Sequence, residues 1–264
     1  MARSACSNAG DYGPVNIDKS VSVTDDGGGE ANVRPLGVSP GISINATVGD
    51  IVGLRGLVID GDGNGDEGIN FQQASALHIQ NCVIRNFESG LGWGIYFAPF
   101  GNARLLVSDS IVYNNGGPAS SGGILVQPMG ASGSATVVLD RVHLENDVVG
   151  LLVDGSASTG TGAHVIVRDS VVSDNAGDGI RAVSLSGKAP ALLVVTLTAA
   201  VNNGGAGILA SGPRATALLD GNVVSRNGVG ISAVGSGQLI SYGNNKVNNN
   251  LGADGAPTGS YSPI

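Results

Sequence analysis

The sequence predicts an all-β protein whose chain winds into a β-solenoid of roughly 8–9 coils. Three observations predict this fold. A two-part signature recurs every 23 to 31 residues, and the runs between its members are rich in Val, Ile and Leu without a helical period. Glycine contributes 44 residues and charged residues only 13%, which is typical of turn-rich β structure filled by small, branched side chains.

Two columns of residues define the repeat. One is an asparagine that ends an apolar run, at Asn115, Asn146, Asn175, Asn203, Asn227 and Asn250. The other is a glycine that opens the next run, at Gly68, Gly94, Gly123, Gly150, Gly179, Gly207 and Gly230. Equivalent residues of a solenoid stack about 4.8 Å apart, so the asparagine amides can hydrogen-bond from coil to coil. We expect each glycine to allow a sharp turn into the next strand.

The aliphatic residue after each glycine predicts the core. These residues are Ile69, Ile95, Ile124, Leu151, Ile180, Ile208 and Ile231. Along the chain we expect three parts: an irregular N-terminal segment at 1–14, a parallel β-helix at 15–250, and a tail at 251–264 that covers the last coil. The first coils, at 15–59, are less regular than the rest.

Composition excludes some functions. A net charge of −8 with scattered basic residues argues against nucleic-acid binding, and no apolar run is long enough for membrane insertion. The N-terminus lacks the apolar core of a signal peptide. Cys6 and Cys82 match no metal motif, and Cys82 is expected to be a core thiol because its strand is apolar.

The repeat resembles a known family. The pattern GIxx…V-x-D-S-x-V-x-x-N, together with YGPVNIDKSVSV, GLRGLVIDG and SYGNNKVNNN…DGAPT, is similar to right-handed parallel β-helix proteins of the pectin-lyase-like superfamily, nearest to uncharacterised bacterial members. The resemblance covers nearly everything from Tyr12 onward. It implies a single-stranded right-handed parallel β-helix, sugars as the ligand class, and a secreted or cell-envelope location. It does not fix an activity, because lyases, hydrolases, epimerases and adhesins share the fold.

In such proteins sugars bind along one outer sheet face beside the Gly-Ile strand. The predicted ligand-binding residues on this face are Trp93, Tyr96, Asp178 and Arg181. No pair of carboxylates on it has the spacing of about 5 to 9.5 Å that a glycosidase needs.

Two acidic patterns are alternative sites. Asp109, Asp140 and Asp169 are predicted to share one corner position on three successive coils, where they form a weak catalytic candidate or a hydrogen-bonded corner. Asp60, Asp62, Asn64 and Asp66 match the first half of a calcium loop, but Phe71 stands where such a loop has its closing glutamate. Calcium is the one cofactor that the sequence suggests.

A further pattern suggests self-association. The outward positions before the asparagine corner form an aliphatic stripe, predicted as Leu106, Val137, Ile166, Val194 and Leu218. The sequence therefore favours a non-catalytic module that recognises polysaccharide or cell-envelope material. The alternatives are a polysaccharide lyase or glycoside hydrolase, and a self-associating structural rod.

Overall fold

The computed structural model describes residues 2–6, 10–25, 27, 30–117 and 121–261, the first five by their backbone alone. The strands of the first third are β1 Ala2–Cys6, β2 Gly10–Tyr12, β3 Val15–Ile17, β4 Val21–Asp25, β5 Ala31–Val33, β6 Ile42–Asn45, β7 Ile51–Arg55, β8 Val58–Asp60, β9 Glu67–Gln73 and β10 Ala76–Gln80. The middle third contains β11 Val83–Arg85, β12 Trp93–Phe97, β13 Asn102–Ser108, β14 Ile111–Tyr113, β15 Gly122–Val126, β16 Ser134–Asp140, β17 His143–Glu145, β18 Val149–Asp154, β19 Gly162–Arg168 and β20 Val171–Ser173. The last third contains β21 Ile180–Val183, β22 Ala191–Thr196, β23 Ala199–Val201, β24 Ala206–Ser211, β25 Ala215–Asp220, β26 Val223–Ser225, β27 Val229–Val234, β28 Gln238–Ser241, β29 Lys246–Asn248 and β30 Gly259–Ser260.

These strands form three parallel sheets, because every third strand from β1 to β29 joins the same sheet, and β30 adds to the first sheet beside β28. The first sheet contains β1, β4 and so on to β28 and β30, the second runs from β2 to β29, and the third runs from β3 to β27. The chain is therefore a parallel β-solenoid, as predicted. The number of turns differs slightly from the prediction: seven turns carry the Gly-Ile signature, and less regular strands extend the sheets to eleven, ten and nine members.

The core is a stack of aliphatic columns. The predicted column after the glycines is confirmed, since Ile95 pairs in register with Ile69 and Ile124, and all its members are 0–3% exposed. Burying seven such side chains contributes about 1.5–3 kcal/mol each against the conformational entropy of folding. Cys82 is buried in the same core, and burial raises the pKa of its thiol to about 11. The side chain of Cys6 lies outside the described residues.

A buried ladder of polar side chains joins successive turns. At each asparagine rung the backbone N–H and the side-chain amide donate to Oδ1 of the next rung, as Asn175 does to Asn203 at 3.2 and 2.8 Å, whereas Asp147 donates only its backbone N–H. The rungs are Asn115, Asp147, Asn175, Asn203, Asn227 and Asn250. Asp254, in the tail, accepts both donors of Asn250 and ends the ladder.

The sequence register was wrong by one residue in a single turn. Asn146 is not a rung: it occupies the left-handed corner with φ 54°, and the rung is Asp147. Because the signature was aligned on asparagine, an aspartate rung moved the assignments that precede it in this turn by one position, while Leu151 and Leu152 after it stayed in register. The predicted stripe is corrected for the same reason: Val137 is 0% exposed in the core, and Val138 pairs with Leu106 and Ile166.

The other corner of each turn also uses a left-handed residue. This corner column is Asn81, Asp109, Arg141, Asp169, Leu197 and Gly221, with φ between 49° and 65°. Leu197 is the aliphatic member of this column. Its side chain forms no local hydrogen bond that would stabilise the left-handed conformation, and it is 62% exposed.

We expect Leu197→Asn to raise the free energy of unfolding by about 1 kcal/mol, since asparagine tolerates the left-handed region and leucine does not. Urea unfolding followed by circular dichroism measures the change. The control is Leu185→Asn, because Leu185 is similarly exposed at 55% and is not a positive-φ residue. An equal gain in both variants would mean that surface polarity, rather than backbone strain, is responsible.

Candidate functional site

The candidate site is a groove on the outer face of the third sheet. Its floor is one column of residues in register across four strands, formed by Tyr96, Leu125, Leu152 and Arg181. The groove has a volume of about 370 Å³. This volume falls within the range of about 300–1,000 Å³ that is usual for ligand pockets.

Polar side chains line the groove at one end and along one side. Gln127 Nε2 donates to Asp154 Oδ2 at 2.8 Å, and Arg181 Nη1 lies 3.8 Å from Asp178 Oδ2. Asp178 is also fixed by the backbone N–H of Ala206, which donates to its Oδ1 at 2.8 Å. Gln127, Asp154 and Arg181 line the groove and present both donors and acceptors toward a ligand, whereas the predicted ligand residue Asp178 does not line it and contacts Arg181.

Gln127 and Asp154 were not identified from the sequence. They stand two positions after the outward column of Leu125 and Leu152, Gln127 directly after the end of β15 and Asp154 at the end of β18. The signal was present, because alternate residues of a strand share a face. Reading the second outward column as well as the first would have found them.

The two predicted aromatic ligands differ in accessibility. Trp93 lines the groove but is only 2% exposed, so most of its ring packs against protein. Tyr96 is half-buried and can offer part of its ring to a ligand. Burial, and then the neighbouring charge of Glu67, raises the pKa of Tyr96.

Glu67 is the most perturbed carboxyl group near this groove. It pairs in register with Trp93 and is 1% exposed. Asn70 Nδ2 donates to Oε1 at 3.2 Å, whereas Oε2 has no hydrogen-bond partner among the described residues. Burial first, and repulsion from Asp66 second, raise its pKa to about 7. Glu67 can therefore gain or lose a proton near neutral pH, but its carboxyl is closed off from solvent.

The proposed stack of three carboxylates does not form. Asp109 and Asp169 share the corner column, but the residue between them is Arg141, because Asp140 lies one position earlier and pairs with Ser108 and Arg168. Arg141 binds Asp109 at 2.7 and 3.1 Å. This contact holds the pKa of Asp109 below its usual range.

The carboxyl group of Asp140 is also paired. Arg141 Nη1 lies 2.5 Å and Arg168 Nε 2.9 Å from its oxygens. Asp109 and Asp140 therefore belong to a surface ion-pair network with Arg141 and Arg168, whereas the exposed Asp169 has no ion pair among the described residues.

The predicted calcium ligands contact protein groups. Asp60 accepts hydrogen bonds from Arg85, Asn86 and the backbone of Asp62 at 2.8 to 3.0 Å. Burial raises the pKa of Asp60, but these bonds outweigh it and leave the pKa below its usual range. Asn64 donates to the Asp62 carbonyl, and Asp66 accepts the backbone N–H of Leu91. Across the described ranges, no three His, Cys, Asp or Glu side chains are grouped to hold a metal ion, and calcium binding stays a prediction.

Within the described part of the chain, no helix has the length and apolar character to cross a membrane. No family model matches the chain, and no curated protein matches it. Among solved structures, the chain is similar to the A-module of the mannuronan C-5 epimerase AlgE4 of Azotobacter vinelandii, with 12% sequence identity and a TM-score of 0.49 over 97% of this chain and 90% of that chain. A likeness of this degree carries no argument about activity.

Proposed function

We propose that the protein is a non-catalytic β-helix module that binds a polysaccharide along the groove of the third sheet. One observation carries the proposal: the floor column places the Tyr96 ring and the Arg181 guanidinium three strand spacings apart, or about 14 Å, with aliphatic side chains between them. An elongated surface with an aromatic ring, apolar floor and hydrogen-bonding side chains suits a chain of polyhydroxylated rings.

The arrangement of acids favours binding over hydrolysis. A glycosidase needs two carboxyl groups about 5 to 9.5 Å apart across the bond it cleaves. Asp154 on β18 and Glu67 on β9 lie on strands about 14 Å apart, and Asp154 is five positions beyond the residue in register with Glu67, so the two residues are separated by more than that distance. Asp178 is already paired with Arg181.

Trp93 is the only tryptophan, so its fluorescence reports directly on this groove. We expect titration with a panel of acidic and neutral oligosaccharides to change the emission for at least one member. Tyr96→Ala should weaken that binding about tenfold, since losing a stacked ring costs about 1–1.5 kcal/mol. Isothermal titration calorimetry gives the constants.

The control is Tyr113→Ala, because Tyr113 lies on β14 of the second sheet, away from the groove. This variant should bind like the original protein. Equal weakening in both variants, or the absence of binding to every oligosaccharide, would contradict the proposal and favour the structural rod.

A catalytic function is the second candidate, and the raised pKa of Glu67 is the observation that favours it. The same panel, assayed for new reducing ends and unsaturated products, separates the two. Turnover by the original protein that is lost in Glu67→Gln would establish the enzyme. Binding without products would support the module.

A further inference from the structure

The outer face of the first sheet presents an aliphatic column to solvent. Six side chains are in register on six successive strands, namely Leu106, Val138, Ile166, Val194, Leu218 and Ile240. Leu106 and Ile166 are 39% and 40% exposed, and the other four are partly exposed. The described loops therefore do not fold over this face.

The neighbouring outward column contains one aliphatic side chain, Leu192; its other members are the polar residues Arg104, Thr136, His164, Thr216 and Gln238. Leu192 stands beside Val194 on β22, and together with Ile166 and Leu218 these side chains line a shallow groove of about 250 Å³. In a water-soluble sheet the outward positions are usually polar. The column from Leu106 to Ile240, together with Leu192, departs from this pattern, and contiguous exposed apolar side chains commonly mark an interface.

The face carries little net charge. Arg104 and Arg168 are balanced by Asp140 and Asp220 at the ends of the same strands, and Arg168 already pairs with Asp140 at 2.9 Å. The whole chain, in contrast, carries −8. Two identical faces of this kind can meet without the like-charge repulsion that the rest of the surface would impose.

The size of the face suits a second copy. Seven strands from β10 to β28 span about 29 Å at the usual strand spacing, and their lengths of four to seven residues give a mean of roughly 20 Å. The projected area of the whole face is roughly 580 Å², somewhat below the ~800 Å² of accessible surface that each partner buries in a standard interface. Flat sheets with interdigitating aliphatic side chains pack face to face about 10 Å apart.

We propose that this face, centred on Ile166 and Val194, is a self-association surface that packs against the same face of a second copy of the chain. The groove of the third sheet lies on a different side of the solenoid, so both copies keep it open. Pairing would place two recognition grooves on one particle and would increase avidity for a repeating polymer.

Sedimentation equilibrium over a series of concentrations tests the proposal. The protein should approach twice the 26.1 kDa chain mass as its concentration rises. Ile166→Lys should raise the dimer dissociation constant at least tenfold, because it buries an unpaired ammonium at the centre of the interface. Leu106→Lys should weaken association as well, and it decides the result if Ile166→Lys does not fold by circular dichroism.

The matched control is Ile111→Lys. Ile111 is 39% exposed, like Ile166, but lies on β14 in the second sheet. It should leave the dissociation constant unchanged. A protein that stays monomeric at its highest attainable concentration, or association that Ile111→Lys weakens as strongly as the other two, would overturn the proposal.

Discussion

Asn203→Ala is expected to lower the free energy of unfolding by at least about 3 kcal/mol. Asn203 accepts two hydrogen bonds from Asn175, donates two to Asn227 through its backbone and side chain, and donates one to the Val172 carbonyl. Alanine keeps only the backbone donor. The substitution therefore leaves buried groups without hydrogen-bond partners: the two donors of Asn175, the Val172 carbonyl and one of the two bonds to Asn227 Oδ1. Each lost partner costs about 1–3 kcal/mol before the structure relaxes. Denaturant unfolding measures the loss.

The control is Asn248→Ala, at an exposed asparagine on β29 near the same end of the solenoid. We expect a change within about 0.5 kcal/mol there. If both substitutions cost the same, the ladder would contribute no more than an ordinary surface amide. The contrast therefore isolates the buried position, since the residue type is identical.

The ladder also explains why glycine recurs in the Gly-Ile column, and the role of these glycines differs from the predicted one. The Gly-Ile glycines were expected to provide a sharp turn, yet Gly150 is not among the glycines with positive φ. What it lacks is room: an added Cβ would lie 2.6 Å from the Gly179 carbonyl oxygen, 2.7 Å from a Val172 methyl and 3.0 Å from the Asn175 amide. The signature thus pairs a polar rung with the small residue that makes space for it. Sequence spacing predicted the association of asparagine and glycine but not this contact.

The fold was predictable because repetition multiplies a weak local signal. Each short run of Val, Ile and Leu is ambiguous alone, but seven copies with a common glycine fix which side chains face inward. The error at Asn146 has a physical source. Aspartate and asparagine have the same shape, so Asp147 can act as a rung, and only the hydrogen bonds distinguish it from its neighbour.

The site was less predictable because it depends on neighbours distant in sequence. Tyr96 and Arg181 were selected correctly as outward residues of one column, since the error at Asn146 did not affect the register of the strands that follow each glycine. The loss of Asp140 from the corner stack required knowing that Arg141 intervenes. The burial of the Trp93 side chain depends on its packing against neighbouring turns, which the alternation of residues along a strand does not predict.

The second large effect concerns Asp147, the one acidic rung inside the ladder. Its Oδ1 accepts the backbone and side-chain donors of Asn115 at 2.8 and 3.0 Å. Its Oδ2 has no hydrogen-bond partner among the described residues. In an asparagine rung, the side-chain amide nitrogen occupies the position of Asp147 Oδ2 and donates to Oδ1 of the next rung. The corresponding atom here is Asn175 Oδ1, which already accepts the backbone N–H of Asp147. A carboxylate has nothing to donate there, whereas the protonated acid does.

Burial is the main cause that raises the pKa of Asp147 well above its usual 3.8, and the charge of Glu145 adds to it, against the opposing hydrogen bonds from Asn115. Because the folded-state pKa of Asp147 is above the unfolded value, the stabilising contribution of this group is fully present below about pH 3.8. As pH rises from there toward the folded pKa, about 1.4 kcal/mol of stability is lost per pH unit. Asp147→Asn should remove this loss and raise the melting temperature at pH 7 by at least about 3 °C.

Thermal melts from acid to neutral pH test this expectation, and Asp254→Asn is the matched control at the end of the same ladder. The exposed Asp254 accepts both donors of Asn250, and these bonds hold its pKa below the usual value. The sign is therefore opposite: the stabilising contribution of Asp254 is present above the unfolded pKa of about 3.8 and is lost as pH falls through the folded pKa.

Asp254→Asn should not raise the melting temperature at neutral pH, and Asp147→Asn should raise it by an amount that shrinks to zero in acid. Since Glu67 is intact in both variants, its own titration cancels from the comparison. A gain for Asp147→Asn that is independent of pH would show that the amide acts through shape or hydrogen bonding alone, and that Asp147 does not hold a proton in the folded state.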